Sequence, residues 1–207
     1  MSSSNFALPS RYPLAALALV LGAVCFFASP ARGQNLVHNP GFNAPISTNA
    51  ATTTNWVVVY VYGGKDDFAI ADRTTWAKRS FGSTDAAGVA WGAQFRPITE
   101  APMHAYFRQT VSGLTPGANY IVSGYMFRTW NRPDVIDIYI ETIGALGSVR
   151  TPNCSTLSAY DTQYSATNKA AADGTIEVRL QYDKNKNTVD KHAYAGACFD
   201  DISLTAQ

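Results

Sequence analysis

The stretch Ala118-Asn119-Tyr120-Ile121-Val122-Ser123-Gly124-Tyr125-Met126-Phe127-Arg128-Thr129-Trp130 decides the fold class. Tyr120, Val122, Gly124 and Met126 fall on one side of it, and Ile121, Ser123, Tyr125 and Phe127 on the other. A period of two is the period of a β-strand, whose successive side chains point to opposite faces. Leu114-Thr115-Pro116-Gly117 just before it is a turn, with Pro presetting φ and Gly tolerating a positive one. The same period recurs on the C-terminal side. Over residues 135–142, Ile136, Ile138 and Ile140 alternate against Asp137, Tyr139 and Glu141; over 175–182, Ile176, Val178, Leu180 and Tyr182 alternate against Glu177, Arg179 and Gln181. Residues 198–204 keep Asp200, Ile202 and Leu204 in phase, and earlier strands are predicted at 56–62, 89–95 and 106–111. No amphipathic helix lies between the strands, which excludes a βαβ fold. The chain is therefore predicted to be all-β, an antiparallel β-sandwich. Residues 144–175 read as a long polar loop. No repeat or low-complexity linker divides the chain, so residues 34–207 form a single domain.

Residues 1–33 contain no Asp or Glu, and Arg11 precedes an apolar run from Leu14 to Phe27. That run is shorter than the roughly 20 residues a membrane span needs. It ends in Ala28-Ser29-Pro30-Ala31-Arg32-Gly33, whose small residues suit a signal-peptidase site. The segment reads as a secretory signal peptide with the mature chain starting at Gln34, and the product as secreted or periplasmic, with no membrane association after cleavage. Cys25 is no lipoprotein acceptor, because Val24 before it is too bulky. The formal charge of +1, from 16 Lys+Arg against 15 Asp+Glu, argues against nucleic acid as a partner. With 46% hydrophobic and only 15% charged residues, the chain can build a core and does not read as disordered.

Cys154 and Cys198 remain after cleavage, and an even pair in an oxidising compartment reads as one disulfide. Such a bridge would stabilise by about 4 kcal/mol on the chain-entropy model. A thiol pair for metal or catalysis is the alternative, but no Cys-x-x-Cys spacing supports it. Asn153-Cys154-Ser155 also matches a glycosylation sequon.

Three stretches carry a family resemblance: Asn35-Leu36-Val37-His38-Asn39-Pro40-Gly41-Phe42-Asn43 followed by Trp56; Gln109-Thr110-Val111-Ser112-Gly113-Leu114-Thr115-Pro116-Gly117-Ala118-Asn119-Tyr120; and Phe199-Asp200-Asp201-Ile202-Ser203-Leu204. In this order they resemble carbohydrate-binding modules of families 4, 9 and 22, within the galactose-binding-like jelly rolls. The resemblance implies two antiparallel sheets packed face to face, neighbouring N- and C-terminal strands, and a buried Trp56. It also implies a structural Ca2+ near the chain ends. Asp200 matches the family's aspartate there, while Asn43 stands where an acid is usual. A neutral amide oxygen still serves calcium, more weakly than a carboxylate. The bland alternative is that Asp200 caps the strand and bonds backbone amides.

If the aliphatic sets face the core, Tyr125, Phe127, Asp137, Tyr139, Glu141, Glu177, Arg179 and Gln181 face outward together. Aromatic planes with carboxylate, amide and guanidinium groups are what sugar recognition requires. The resemblance implies glycan binding on such a face, with a polysaccharide or glycan as partner. Alternatively Tyr125, Phe127 and Tyr139 lie under residues 63–80 or 144–175 as satellite core. A second candidate patch comprises Trp76, Trp91, Trp130 and Arg128, of which Trp130, before the turn Asn131-Arg132-Pro133-Asp134, is expected to be the most exposed. Catalysis finds less support. An open sheet face offers little to raise a carboxyl pKa for glycoside hydrolysis, and His38, His104 and His192 match no metal spacing. A jelly-roll polysaccharide lyase would use Arg, Gln, His and Tyr, and the outward set has no His. A non-catalytic glycan-binding protein is the first expectation, and a structural or adhesive protein using the same face the second.

Overall fold

The computed structural model describes residues 33–38, 40–42, 56–63, 68–71, 93–97, 102–128, 136–155, 162–184 and 196–207. The signal segment, apart from Gly33, and the expected sites at Asn43, Trp76, Trp91 and Trp130 lie outside them.

Among the described residues ten strands follow one another: β1 (Val57–Tyr62), β2 (Phe68–Ala71), β3 (Ala93–Pro97), β4 (Met103–Val111), β5 (Asn119–Arg128), β6 (Ile136–Gly144), β7 (Gly147–Arg150), β8 (Gln163–Lys169), β9 (Ile176–Lys184) and β10 (Ala197–Ala206). They form two five-stranded sheets, β1-β4-β9-β6-β7 and β2-β3-β10-β5-β8, in which neighbours run antiparallel. We name them the β9 and β10 sheets after their central strands. The expected sandwich is the observed one, as is the choice of core face. Tyr120, Val122, Ile136, Ile138, Ile140, Ile176, Val178 and Leu180 are all buried between the sheets. Trp56 is fully buried, stacked on Phe42 at 5.5 Å, and Phe95 stacks on Phe107 at 4.1 Å.

The chain ends are neighbours, as the resemblance implied. Leu36 N donates to Leu204 O at 2.9 Å, and Ile202 N donates to Pro40 O at 3.0 Å. Asn35 fastens the strap, its Oδ1 accepting from Val37 N and Leu204 N and its Nδ2 donating to Ile202 O. A side seam closes the sandwich between β6, β7 and β8. Asn168 Nδ2 donates to Thr142 O and Gly147 O, and Ala145 N donates to Lys169 O at 2.8 Å. The backbones approach so closely there that a Cβ on Gly144 would lie 2.2 Å from Lys169 O, which explains the glycine.

Three expectations need correction. Residues 144–175 are not one loop, because β7 and β8 occupy much of them. β8 reads Gln-Tyr-Ser-Ala-Thr-Asn-Lys, and only Tyr164 and Asn168 in it are buried, so its hydrophobic alternation is faint. Second, the outward set is divided, because β5 belongs to one sheet and β6 and β9 to the other. Third, Cys154 and Cys198 are both buried but not bridged. Cys154 packs in the main core between the sheets, whereas the alternation of β10 sends Cys198 to the opposite side of its sheet, against Phe127 and Tyr125.

Candidate functional site

The outer face of the β9 sheet gathers the polar and aromatic side chains into rows that run across the strands. His104, Asp183 and Asp137 are in register on β4, β9 and β6. The next row is Tyr106, Gln181 and Tyr139, and the next is Arg108, Arg179 and Glu141, with Arg150 of β7 beyond Glu141. Their neighbours along each strand, such as Ala105, Phe107, Leu180 and Ile140, fill the core and hold the backbone in this phase. With strands about 4.8 Å apart, Tyr106 and Tyr139 rise from backbones about 10 Å apart on either side of Gln181.

Gln181, only 2% exposed, organises the centre. Its Nε2 donates to Glu141 Oε2 at 2.6 Å, which turns its Oε1 toward His104 Nε2 at 2.8 Å. The amide oxygen can only accept, so the imidazole nitrogen is the donor. Glu141 Oε1 accepts from Ser148 Oγ at 2.5 Å, and Glu141 Oε2 lies 3.5 Å from Arg179. Glu177 takes Arg179 Nε at 2.5 Å and Arg108 at 3.4 Å. Arg179 also lies over the Tyr106 ring, 4.8 Å from its centroid, and Arg150 over the Tyr139 ring at 5.2 Å. Tyr62 donates its hydroxyl to Asp183, and Asn153 its amide to Asp137. At the β6–β7 end, Asp137, Tyr139, Arg150, Thr151, Pro152 and Asn153 line a recess of about 170 Å³.

The protonation states follow from these contacts. Burial raises the Tyr139 pKa, and the charges of Glu141 and Asp183 add to that against the pull of Arg150. Burial and the hydrogen bond to Asp183 push Tyr62 upward as well. Burial alone would lower Arg179, but its hydrogen bond to Glu177 and that residue's charge outweigh this and hold it up. Tyr62 and Tyr139 thus keep their protons, and Arg179 its charge, at neutral pH.

Of the expected site residues, Asp137, Tyr139, Glu141, Arg179 and Gln181 meet on this face, with Glu177. Tyr125 and Phe127 do not join them. They point outward from the β10 sheet, where Phe127 is 5% exposed and packs with Cys198 and the half-buried Tyr125. Tyr62, His104, Tyr106, Arg108, Arg150 and Asp183 were missed. For β4 the signal was legible, since His104, Tyr106 and Arg108 alternate against Ala105 and Phe107. Arg128, expected on a loop patch, instead ends β5 with its side chain 2% exposed. The sequon asparagine Asn153 is committed: besides its bond to Asp137, its Oδ1 accepts from Ile138 N at 2.8 Å and Arg128 at 3.3 Å.

Asp200 is fully buried, and its Oδ1 accepts Asp201 N–H at 2.8 Å across a β-bulge where Asp201 takes φ 47°. A buried carboxylate is a hard oxygen donor of the kind calcium takes. Its expected companion Asn43 falls outside the described residues, among which no group of three or more His, Cys, Asp or Glu is placed to hold a metal ion.

No protein-family model and no curated protein sequence matches the chain. Solved structures do match its fold. The carbohydrate-binding module TmCBM61, solved with β-1,4-galactotriose, superposes with a TM-score of 0.54 at 14% identity, over 84% of this chain and 99% of that one. A Bacteroides thetaiotaomicron protein suggested to bind sugar gives 0.55 at 12% identity, over 84% and 100%. The enzymatically active domain of bacteriophage CBA120 tailspike protein 4 gives 0.53 at 13% identity, with 84% of this chain matching 21% of that one. The fold is thus the jelly roll of carbohydrate-binding modules and other sugar-binding domains, as the three sequence stretches implied.

Proposed function

We propose that this protein binds a polysaccharide or glycan, without catalysis, on the outer face of the β9 sheet. The observation that carries this reading is the row Tyr106–Gln181–Tyr139, an amide held rigid by Glu141 and His104 between two rings. A sugar presents apolar C–H faces and hydroxyls together, and this row offers rings and planar polar groups together. A site whose side chains already bond one another loses little entropy on binding. Affinity electrophoresis through gels containing xylan, glucan, mannan, galactan, alginate or pectin tests the proposal. Retardation by at least one polymer, abolished by Tyr106→Ala with Tyr139→Ala, is expected; free migration of the folded protein in all of them refutes it. The structural or adhesive alternative would favour a contiguous apolar patch. Val61 and Leu146, the large exposed hydrophobics among the described residues, lie far apart in the fold, on β1 and in the β6–β7 turn.

One observation favours a second reading, a polysaccharide lyase. His104 supplies the imidazole that the expected outward set lacked. Elimination needs a base to take the sugar's ring proton as the glycosidic C–O bond breaks. His104 Nε2 already donates to Gln181, and Tyr62 and Tyr139 hold their protons, so binding fits the geometry better. Ultraviolet absorbance from unsaturated uronides during incubation with a uronan would reverse that preference.

We also propose that the mature chain is exported after removal of residues 1–33, and that Asp200 with Asn43 holds a structural Ca2+. Mass spectrometry of the exported protein tests the cleavage. A melting temperature lowered by chelator and restored by calcium, but unaffected by either in Asp200→Asn, tests the metal.

A further inference from the structure

The guanidiniums of the β9 face are not equivalent. Arg108 pairs with Glu177, and Arg179 with Glu177 and Glu141. Arg150 stands directly opposite Glu141 in register, the placement that ordinarily makes a cross-strand ion pair. Glu141, however, commits both oxygens elsewhere, to Ser148 and to Gln181 with Arg179. Arg150 is therefore turned over the Tyr139 ring, and among the described residues no carboxylate pairs with it. It is exposed at the lip of the recess.

A second guanidinium lies behind that recess. Arg128 is 2% exposed and touches Asn153 Oδ1 at 3.3 Å through Nη2, while its Nε and Nη1 have no hydrogen-bond partner among the described residues. A buried cation without a counter-ion is costly, and an anion close by offsets the cost. Among the described residues that line or back the recess are two guanidiniums, Arg150 and Arg128, and one carboxylate, Asp137, which is already engaged by Asn153, while Glu141 and Asp183 act on Tyr139 from the neighbouring rows. Over the rest of the face the balance reverses, with Arg108 and Arg179 against Glu141, Glu177 and Asp183.

Resting on the glycan-binding reading above, we propose that this recess is a subsite for a carboxylate-bearing sugar, so that the ligand is a uronic-acid-containing polysaccharide. The Arg150 fork takes the sugar carboxylate in two parallel N–H···O bonds, and the Arg128 charge deepens the attraction from behind. The Tyr139 ring holds the fork in place from below. Asp137 accepts hydroxyls of the same sugar, which sets its orientation.

The test pairs polygalacturonate, alginate and glucuronoxylan each with its own carboxyl-reduced counterpart, measured by affinity electrophoresis and calorimetry on the intact protein. A sulfated galactan separates carboxylate recognition from general anion capture. At least one uronan should bind about tenfold more tightly than its reduced form. In Arg150→Ala and Arg150→Gln that ratio should fall to near one, with an unchanged melting temperature, since Arg150 is exposed on a short edge strand. Equal affinity for both members of every pair, a ratio indifferent to Arg150, or equal binding of the sulfated galactan would overturn the subsite. Binding of reduced polymers alone overturns the subsite and leaves the glycan reading intact, whereas binding of no polymer overturns both.

Discussion

The two outer faces of the sandwich obey the same alternation and came out chemically unlike. The β9 face carries long side chains, Arg108, Arg150, Arg179, Gln181, Tyr106 and Tyr139, which reach above the backbone and bond to one another there. The face of the β10 sheet carries short ones over β5, β8 and β10. Ser123 Oγ meets Ser203 Oγ at 2.7 Å, Gln163 donates to Ser123 at 3.3 Å, and Ser165 and Thr167 stand beside them. At its far end Tyr125, Phe127 and Cys198 form a small cluster of their own. Short hydroxyls offer a sugar ring no aromatic plane, and a buried ring has no face to offer. The difference shows that an outward phase makes a residue available, and that length, charge and cover decide what it is available for.

Phe127→Ala should break the comparison from the structural side most strongly. Removing a side chain buried this deeply costs about 3 kcal/mol. Chemical denaturation should register that loss while polysaccharide affinity per folded molecule stays the same; a binding defect would mean the β10 face contributes to the site. Gly144→Ala tests the seam that ties the faces together. Its Cβ would meet Lys169 O, so a cost of about 2 kcal/mol is expected from the same denaturation curves, and a neutral variant would mean the seam yields easily. Tyr106→Ala with Tyr139→Ala is the reverse case. It should lower affinity at least about tenfold, about 1.4 kcal/mol, with a smaller effect on unfolding. A loss of stability matching that of Phe127→Ala would show that these rings too are core.

The smallest effect is expected at alkaline pH. Tyr62, Tyr139 and Tyr182 all have raised pKa values, burial being the first cause in each, with the Asp183 charge contributing. The folded state thus holds these protons more tightly than the unfolded chain. Their contribution is complete below the ordinary tyrosine value near 10 and is lost as pH rises above it. The melting temperature should therefore decline above about pH 10, and less steeply in Tyr62→Phe. A spectrophotometric titration in which all tyrosines ionise together near the ordinary value would contradict the burial of these three.

The fold was legible because burying alternate side chains is a local instruction repeated strand by strand. Ile136, Ile138 and Ile140, and Ile176, Val178 and Leu180, state which side is core without reference to anything distant. The site was legible only in part. Asp137, Tyr139 and Glu141 on β6 and Arg179 and Gln181 on β9 came together because those strands are hydrogen-bonded neighbours. Tyr125 and Phe127 shared their phase but not their sheet, and phase carries no information about sheet membership. Arg150 escaped because β7 is a four-residue edge strand whose exposed and half-exposed side chains leave no apolar trace.

By itself, then, the sequence determined an all-β sandwich and the core face of its long strands, because hydrophobic periodicity and turn chemistry act over a few residues at a time; that its terminal segments meet was implied only by the family resemblance. Only the tertiary structure decided which outward residues share a face, that Cys154 and Cys198 lie on opposite sides of a sheet, and that Arg150 is left without its cross-strand partner. Each of those depends on the order of strands within sheets, which is fixed by contacts between residues far apart in the chain.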